Sequence, residues 1–282
     1  MIEVNDAVLA EVNKSFVIPP QPQLLVDLQN LLSEPEPLLA DAADIIAKDV
    51  AIASAILKII NSPAYGLSRT VSDIKQATMF LGWDGIKAIV PSLKLKEAFS
   101  RSNSCISLER FGDTANEIAE VSMYIGKLVK SKVPVENLYT LGLFHDCGVP
   151  PMAIKFADYA QTLKKANDDI EHGIIELEEQ KYHTNHAVIG YYLASSWNLP
   201  KDICQIVLRH HDLSFLETTE DSVSHISFAV LKMAENIVNY ERRYANLRDW
   251  VHLKNDILDV LGMSEEDYHD LKDDITDSLL VA

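Results

Sequence analysis

Gly142-Leu143-Phe144-His145-Asp146-Cys147-Gly148 is the stretch on which the reading of this chain turns. Leu138, Leu141, Gly142 and His145 recur at i, i+3, i+4 and i+7, so they share one face of a helix and His145 closes its apolar side. Asp146 comes immediately after. Imidazole nitrogen and carboxylate oxygen form a ligand set for zinc, iron or manganese, and a carboxylate can bridge two ions. A bridged pair can activate water against a phosphoester. A lone histidine on an apolar face more often donates to a backbone carbonyl, so the other histidines decide how much weight the pair deserves.

Two others stand in the same kind of place. His186 shares a helical face with Gly190, Leu193 and Trp197, and His210 shares one with Ile203, Ile206 and Val207. Three histidines from three helices therefore point toward the core. His211, His183 and His225 lie off their apolar stripes and are expected at a solvated surface, while His172, His252 and His269 sit among charged neighbours and are expected to be exposed. Cys147 is expected to pack as a small hydrophobe.

Outward from these positions the apolar spacing is three-and-four almost throughout, with no alternating strand pattern bounded by turns, so the fold class is all-α. Ile18-Pro19-Pro20-Gln21-Pro22 opens the folded part, and Ser33-Glu34-Pro35-Glu36-Pro37 separates a first helix from one near Leu38–Lys48. A third covers Ala51–Ile60, Asn61-Ser62-Pro63-Ala64-Tyr65-Gly66 breaks the chain, and two more lie near Val71–Leu81 and Trp83–Phe99. Arg101-Ser102-Asn103-Ser104 is the best linker. Beyond it helices are predicted near Phe111–Lys130, Val135–Asp146, Met152–Lys165, Asp168–Lys181, His186–Trp197 and Lys201–His211. An acidic tail, Asp267 to Asp277, is expected on the surface. The division this suggests is an extension over 1–17, an N-terminal helical part over 18–100, a helical bundle over 105–212 and C-terminal helices over 213–282.

The bulk numbers narrow the function classes. Of 282 residues, 48% are hydrophobic and 24% charged, as in ordinary globular chains, and the net charge is −17. That sign disfavours nonspecific binding to nucleic acid or anionic lipid, but not a small anion in a local pocket. Three scattered cysteines fit a reducing compartment. The N-terminal residues lack a basic segment leading into an apolar run, and no apolar stretch approaches the ~18 residues of a membrane span. The expectation is a cytoplasmic protein.

At this point the chain resembles a family. Gly142-Leu143-Phe144-His145-Asp146-Cys147-Gly148 is similar to the GLxHDxG segment of HD-type metal-dependent phosphohydrolases. His186-Ala187-Val188-Ile189-Gly190, Trp197-Asn198-Leu199-Pro200 and Arg209-His210-His211 resemble the segments C-terminal to it in their HDOD relatives. Lys48-Asp49-Val50-Ala51-Ile52-Ala53, Leu57-Lys58-Ile59-Ile60-Asn61-Ser62, and Gln76-Ala77 before Leu81-Gly82 agree in the first half. The ordered set covers about Ile18 to Asp212. The resemblance implies an N-terminal helical subdomain and then an HD-like helical bundle, in a class of bacterial signal-transduction modules mostly without established catalysis. It carries the metal-type positions over as His145, Asp146, His186 and His210, with His211 as an additional candidate.

Three departures bear on activity. An active HD site takes its first histidine from the helix before the His-Asp pair, and that position is Thr114, or Asp113 one register back; Asp113 reads as an N-cap. The late aspartate would fall near Ala234-Glu235, and Glu235 is expected to point away from the stripe of Ile226, Ala229, Val230, Met233 and Ile237. Val149-Pro150-Pro151 stands where active relatives often carry a basic residue. The leading expectation is thus a regulatory module without catalysis, binding a partner protein or a small anionic ligand, with Fe, Mn or Zn as candidate metals of a remnant site. The alternative is a phosphohydrolase in which His145, Asp146, His186 and His210 hold one metal. A third is a structural metal pinning the bundle. Pro19-Pro20, Trp83 and Tyr65 could serve a partner, although packing explains each of them better.

Overall fold

The first element runs from Gln23 to Leu32 (α1) and opens directly on Pro22, whose missing N–H is no loss at a helix start. Among the residues that the computed structural model describes, 15–16, 18–62, 65–99, 102–129, 133–168 and 172–280, it opens a run of fifteen α-helices that ends at Ile275. The expected extension over 1–17, the Pro63-Ala64 pair and Arg101 of the linker lie largely or wholly outside the described residues. No strand occurs among those described, so the class is all-α as read from the spacing.

α2 (Leu39–Ala47), α3 (Val50–Ile60) and the long α4 (Ile74–Phe99) complete the N-terminal part. Asp49 caps α3 by accepting from the Ile52 N–H at 3.1 Å. α4 is two helices joined at Gly82, where φ is 64°, so the predicted break between Leu81 and Trp83 falls at the residue that permits it. Ser102–Ser104 are non-helical.

α5 (Leu108–Leu128) and α6 (Val135–Phe144) then pack against each other. A Cβ on Gly142 would sit 2.6 Å from the Ala119 Cα, so only glycine lets these backbones approach so far. α7 (Val149–Lys155), α8 (Tyr159–Asp168) and α9 (Ile174–Tyr182) lead to α10 (His186–Ser196) and α11 (Lys201–Arg209). The segment predicted near Met152–Lys165 is therefore two helices, with a break at Phe156. A short α12 (Phe215–Thr218) precedes α13 (Ser222–Arg243), which is buried from Ser227 to Val238 without a solvent face. α14 (Arg248–Leu261) and α15 (Glu265–Ile275) close the bundle.

The acids between Asp267 and Asp277 lie at the surface as expected, and the stretch belongs mostly to α15, opened by a capping box between Ser264 and Asp267. Tyr268, Leu271 and Ile275 form its buried face, Tyr268 lying against Trp250 with ring centroids 4.9 Å apart. One reading of the sequence changes here: Asp113 is no N-cap, because Ser107 caps α5 and Asp113 lies a turn and a half inside it. Tyr65 donates to the Glu136 carboxylate at 2.7 Å, and Trp83 is half-buried against the core, which accounts for both by packing. Trp197 is buried, meets the Phe144 ring edge-on and donates its indole N–H to the Pro19 carbonyl at 3.1 Å. The opening proline segment is thereby tied to the bundle.

Gly148 sets the distance between the His-Asp turn and α10. A Cβ there would stand 1.9 Å from the His186 carbonyl oxygen and 2.6 Å from the Gly190 nitrogen. Gly148→Ala is expected to lower stability by roughly 2–4 kcal/mol in urea unfolding, since backbone on both sides would have to move. Gly262→Ala, where a Cβ meets nothing within 4 Å and only the positive φ is strained, should cost about 1 kcal/mol.

Candidate metal centre

His145 is the C-cap of α6 and keeps helical backbone angles, so its ring leaves the helix end toward the interior. Its Nδ1 donates to the Gly142 carbonyl at 2.7 Å. His210 repeats the device at the end of α11, donating from Nδ1 to the Val207 carbonyl at 2.7 Å. His186 opens α10 just after Asn185, which caps that helix by accepting from the Val188 N–H at 2.8 Å. Glu178 of α9, fully buried, accepts both the His186 backbone N–H at 3.0 Å and its Nδ1–H at 2.8 Å. The Tyr159 hydroxyl also donates to Glu178. His211 donates from Nδ1 to Asp249 Oδ2 at 2.7 Å, at the start of α14.

Each of the four rings thus has its Nδ1 proton on an oxygen that can only accept, a carbonyl or a carboxylate. In the neutral ring the lone pair is then on Nε2. Asp146, His186, His210 and His211 bring one ligand atom apiece to a cluster whose members all lie within 4.8 Å of one another. Asp146 Oδ1 stands 3.2 Å from His186 Nε2 and 3.3 Å from His210 Nε2, and those two nitrogens are 3.3 Å apart. Ligand atoms about 2.1 Å from a tetrahedral ion stand about 3.4 Å from each other, so the three separations suit a shared cation. The donor chemistry also fits iron, manganese or zinc.

The other oxygen of Asp146 faces a different group. Its Oδ2 is 3.4 Å from His145 Nε2, which lies 3.7 Å from Glu235 Oε1. Glu235 Oε2 is 2.8 Å from the Lys232 ammonium, and Lys232 also reaches Asp249 Oδ2 at 3.0 Å. His145, His186 and His210 are at most 2% exposed, whereas Asp146 keeps a third of its side-chain surface open and His211 about a fifth. Among the five residues, Asp146 and His211 are the ones that keep exposed surface.

Charge sharing moves the titrations. Burial favours a neutral His186, but the Glu178 and Asp146 carboxylates outweigh it and push its pKa up to about 10. His210 is driven well below the usual histidine range by burial and by His211. Burial would raise Asp146, yet the three imidazoles hold it well below the usual carboxylate range. His145 is raised against its own burial, chiefly by Asp146.

The structure brings His145, Asp146, His186 and His210 together. His211 does not lie at a plain surface: it is half-buried beside His210 and part of the cluster. Glu235 does not point away; it is buried and faces His145, because α13 is enclosed on all sides and one apolar stripe does not describe its interior. His183, His252 and His269 are exposed as expected, while His172 and His225 are half-buried, His225 near the Thr219 carbonyl at 2.6 Å. Cys147 packs without exposure, and burial raises its thiol well above the ordinary value. Thr114 spends its hydroxyl on the Arg110 carbonyl at 2.9 Å. Sequence reasoning missed Glu178, Lys232 and Asp249. A lysine flanked by apolar residues in Val230-Leu231-Lys232-Met233-Ala234 was the one signal available.

The HDOD domain family matches residues 18–213, most of the chain and nearly the interval over which the resemblance runs. The chain belongs to the HDOD family. An HDOD domain protein of unknown function from Geobacter sulfurreducens superposes with a TM-score of 0.69 at 19% identity, covering 98% of this chain and 94% of the other. A Shewanella amazonensis protein provisionally named a metal-dependent phosphohydrolase gives 0.68 at 22% identity, covering 94% and 97%. At such identity the likeness bears on the fold. An uncharacterized protein of Treponema pallidum is 23% identical over 249 residues, 85% of this chain but 47% of its own length. This chain therefore spans about half the length of that curated relative. Among the described residues no helix is long and apolar enough to cross a membrane.

Glu178 holds His186 in place through two hydrogen bonds, one from its backbone and one from its ring. Glu178→Ala should destabilise the metal-free protein by roughly 2–4 kcal/mol in denaturant unfolding, because a buried imidazole loses its anchor and its counter-charge. Glu176→Ala, on the exposed face of the same helix, should change it by less than about 0.5 kcal/mol.

Proposed function

We propose that this HDOD chain is a signal-transduction module whose centre holds one divalent transition metal through Asp146, His186, His210 and His211. The ion, iron, manganese or zinc, would be presented to a small anionic ligand or to a partner protein without turnover. The observation that carries this reading is the convergence of Nε2 atoms on Asp146 Oδ1 at 3.2 and 3.3 Å, with every Nδ1 already bonded. Such an ion supplies a Lewis-acidic contact for an oxyanion when bound. The opening at Asp146 and His211 is the side from which a ligand would reach it.

Family membership supports the regulatory role, since HDOD modules are associated with signalling. Two features support binding without catalysis. Thr114 stands where an active centre has its first histidine and is turned to its own helix, and buried Val149, Pro150 and Pro151 occupy the place of a phosphate-holding basic residue. A net charge of −17 agrees with a cytoplasmic protein that avoids nucleic acid and anionic membranes. The division into an N-terminal helical part and an HD-like bundle at 101–104 belongs to the same proposal.

The second reading is a phosphohydrolase of altered ligand set, favoured by the way Asp146 turns its two oxygens to two histidine groups. Elemental analysis of untagged protein after incubation with Fe, Mn or Zn should find close to one ion per chain. His186→Ala and His210→Ala should each lower that at least tenfold. At metal a hundredfold above its Kd, linkage adds about 2.7 kcal/mol of stability, so chelation should lower Tm by several degrees. Absence of metal at saturation would sink the proposal. Hydrolysis of bis-p-nitrophenyl phosphate by the loaded protein, lost in Asp146→Ala, would establish the hydrolase instead.

A further inference from the structure

Asp146 divides the centre into two half-sites. Oδ1 serves His186 and His210; Oδ2 serves His145, with Glu235 Oε1 on the far side of that imidazole. His145 Nε2 has Asp146 Oδ2 at 3.4 Å on one side and Glu235 Oε1 at 3.7 Å on the other, so a second group of donors is centred on that imidazole. Imidazole and carboxylate are the donor types of the first half-site as well. What distinguishes the second group from the first is its neighbour.

Lys232 is 1% exposed, and its ammonium lies between Glu235 Oε2 at 2.8 Å and Asp249 Oδ2 at 3.0 Å. A lysine so buried in the middle of α13 persists only where carboxylates replace its water. Here they are a carboxylate of the second half-site and the one that orients His211. The ammonium is thus a fixed cation, built into the chain, across one carboxylate from where a second ion would rest. A dication there would face like-charge repulsion in a water-poor interior and would compete for Glu235.

We infer that Lys232 is the residue that limits this centre to one metal ion, its ammonium taking the charge-balancing place of a second ion on Glu235. Lys232 touches none of the atoms assigned to the first ion, so it acts on stoichiometry through Glu235 and Asp249. The inference rests on the single-ion reading above and adds to it a reason for the number.

The test is a count of ions together with Mn(II) electron paramagnetic resonance, on wild type and on Lys232→Met, which keeps the side chain's length without its charge. Each protein is saturated with Mn(II) and passed over a desalting column. Wild type should retain one ion with an uncoupled six-line spectrum. Lys232→Met should retain two, with the spectrum of an exchange-coupled pair. One ion and an uncoupled spectrum in folded Lys232→Met would overturn the inference and leave the single-ion site standing, as would two ions in wild type. No ion in wild type would overturn the site reading itself. Lys232→Met leaves two carboxylates without their cation, so the double variant Lys232→Met/Asp249→Asn, which removes one charge of each sign, carries the same criterion if the single variant does not fold. Glu235→Gln should keep one ion at an affinity within threefold of wild type, and a tenfold loss would show Glu235 to be a ligand of the first ion.

Discussion

A Cβ on Gly148 would stand 1.9 Å from the His186 carbonyl oxygen, which means that the His145–Gly148 turn and the first turn of α10 touch backbone to backbone. That contact sets the distance between Asp146 and His186. Gly142, pressed on Ala119 in the neighbouring helix, places α6 and therefore His145 in the same way. Gly190 completes the arrangement, where an added Cβ would come within 3.3 Å of the Cys147 sulfur and 3.1 Å of Val207. The centre is held by close approach of helices at three glycines, and its side chains inherit their positions from that packing.

Charge is organised in a second layer around these contacts. Glu178, Asp249 and Lys232 are buried to between 0 and 8% exposure, and none of them is among the atoms that converge on Asp146 Oδ1. Such groups are costly to bury and give little net stability, but each fixes the orientation of another group. Glu178 anchors His186 at α10, Asp249 directs His211, and Lys232 ties α13 to the start of α14. With a chain so strongly acidic, one buried lysine between two carboxylates is conspicuous. It stands where the half-site around His145 meets the rest of the protein.

The helices were legible in the sequence wherever a local rule applies. Gly82 breaks α4 between the helices read near Val71–Leu81 and Trp83–Phe99, and Asp49, Asn185 and Ser264 cap the helices that follow them, as short polar side chains do. The pairing of His145 with Asp146, and the inward faces of His186 and His210, came from three-and-four spacing. Helical spacing misplaces two residues, Glu235 and His211. α13 is buried all round, so Glu235 has no polar face to occupy and its direction cannot be read from a stripe. His211 lies past the end of α11, where helical periodicity no longer says which way a side chain turns.

The sequence by itself determined the all-α class, the order of helices, the family and the identity of the residues nearest the metal-type cluster, because these depend on local propensity, periodicity and motif. Only the tertiary structure decided the outer partners. Glu178, Tyr159, Lys232 and Asp249 reach the groups they hold across 8 to 38 residues of chain, and nothing in their immediate neighbourhoods marks them apart from the apolar flanks of Lys232. A buried ionisable group is recognised by the counter-charge that compensates its desolvation, and that counter-charge arrives from another helix. Which oxygen of Asp146 faces which imidazole, and which carboxylate is already committed to an ammonium, are consequences of packing that no stretch of the chain contains.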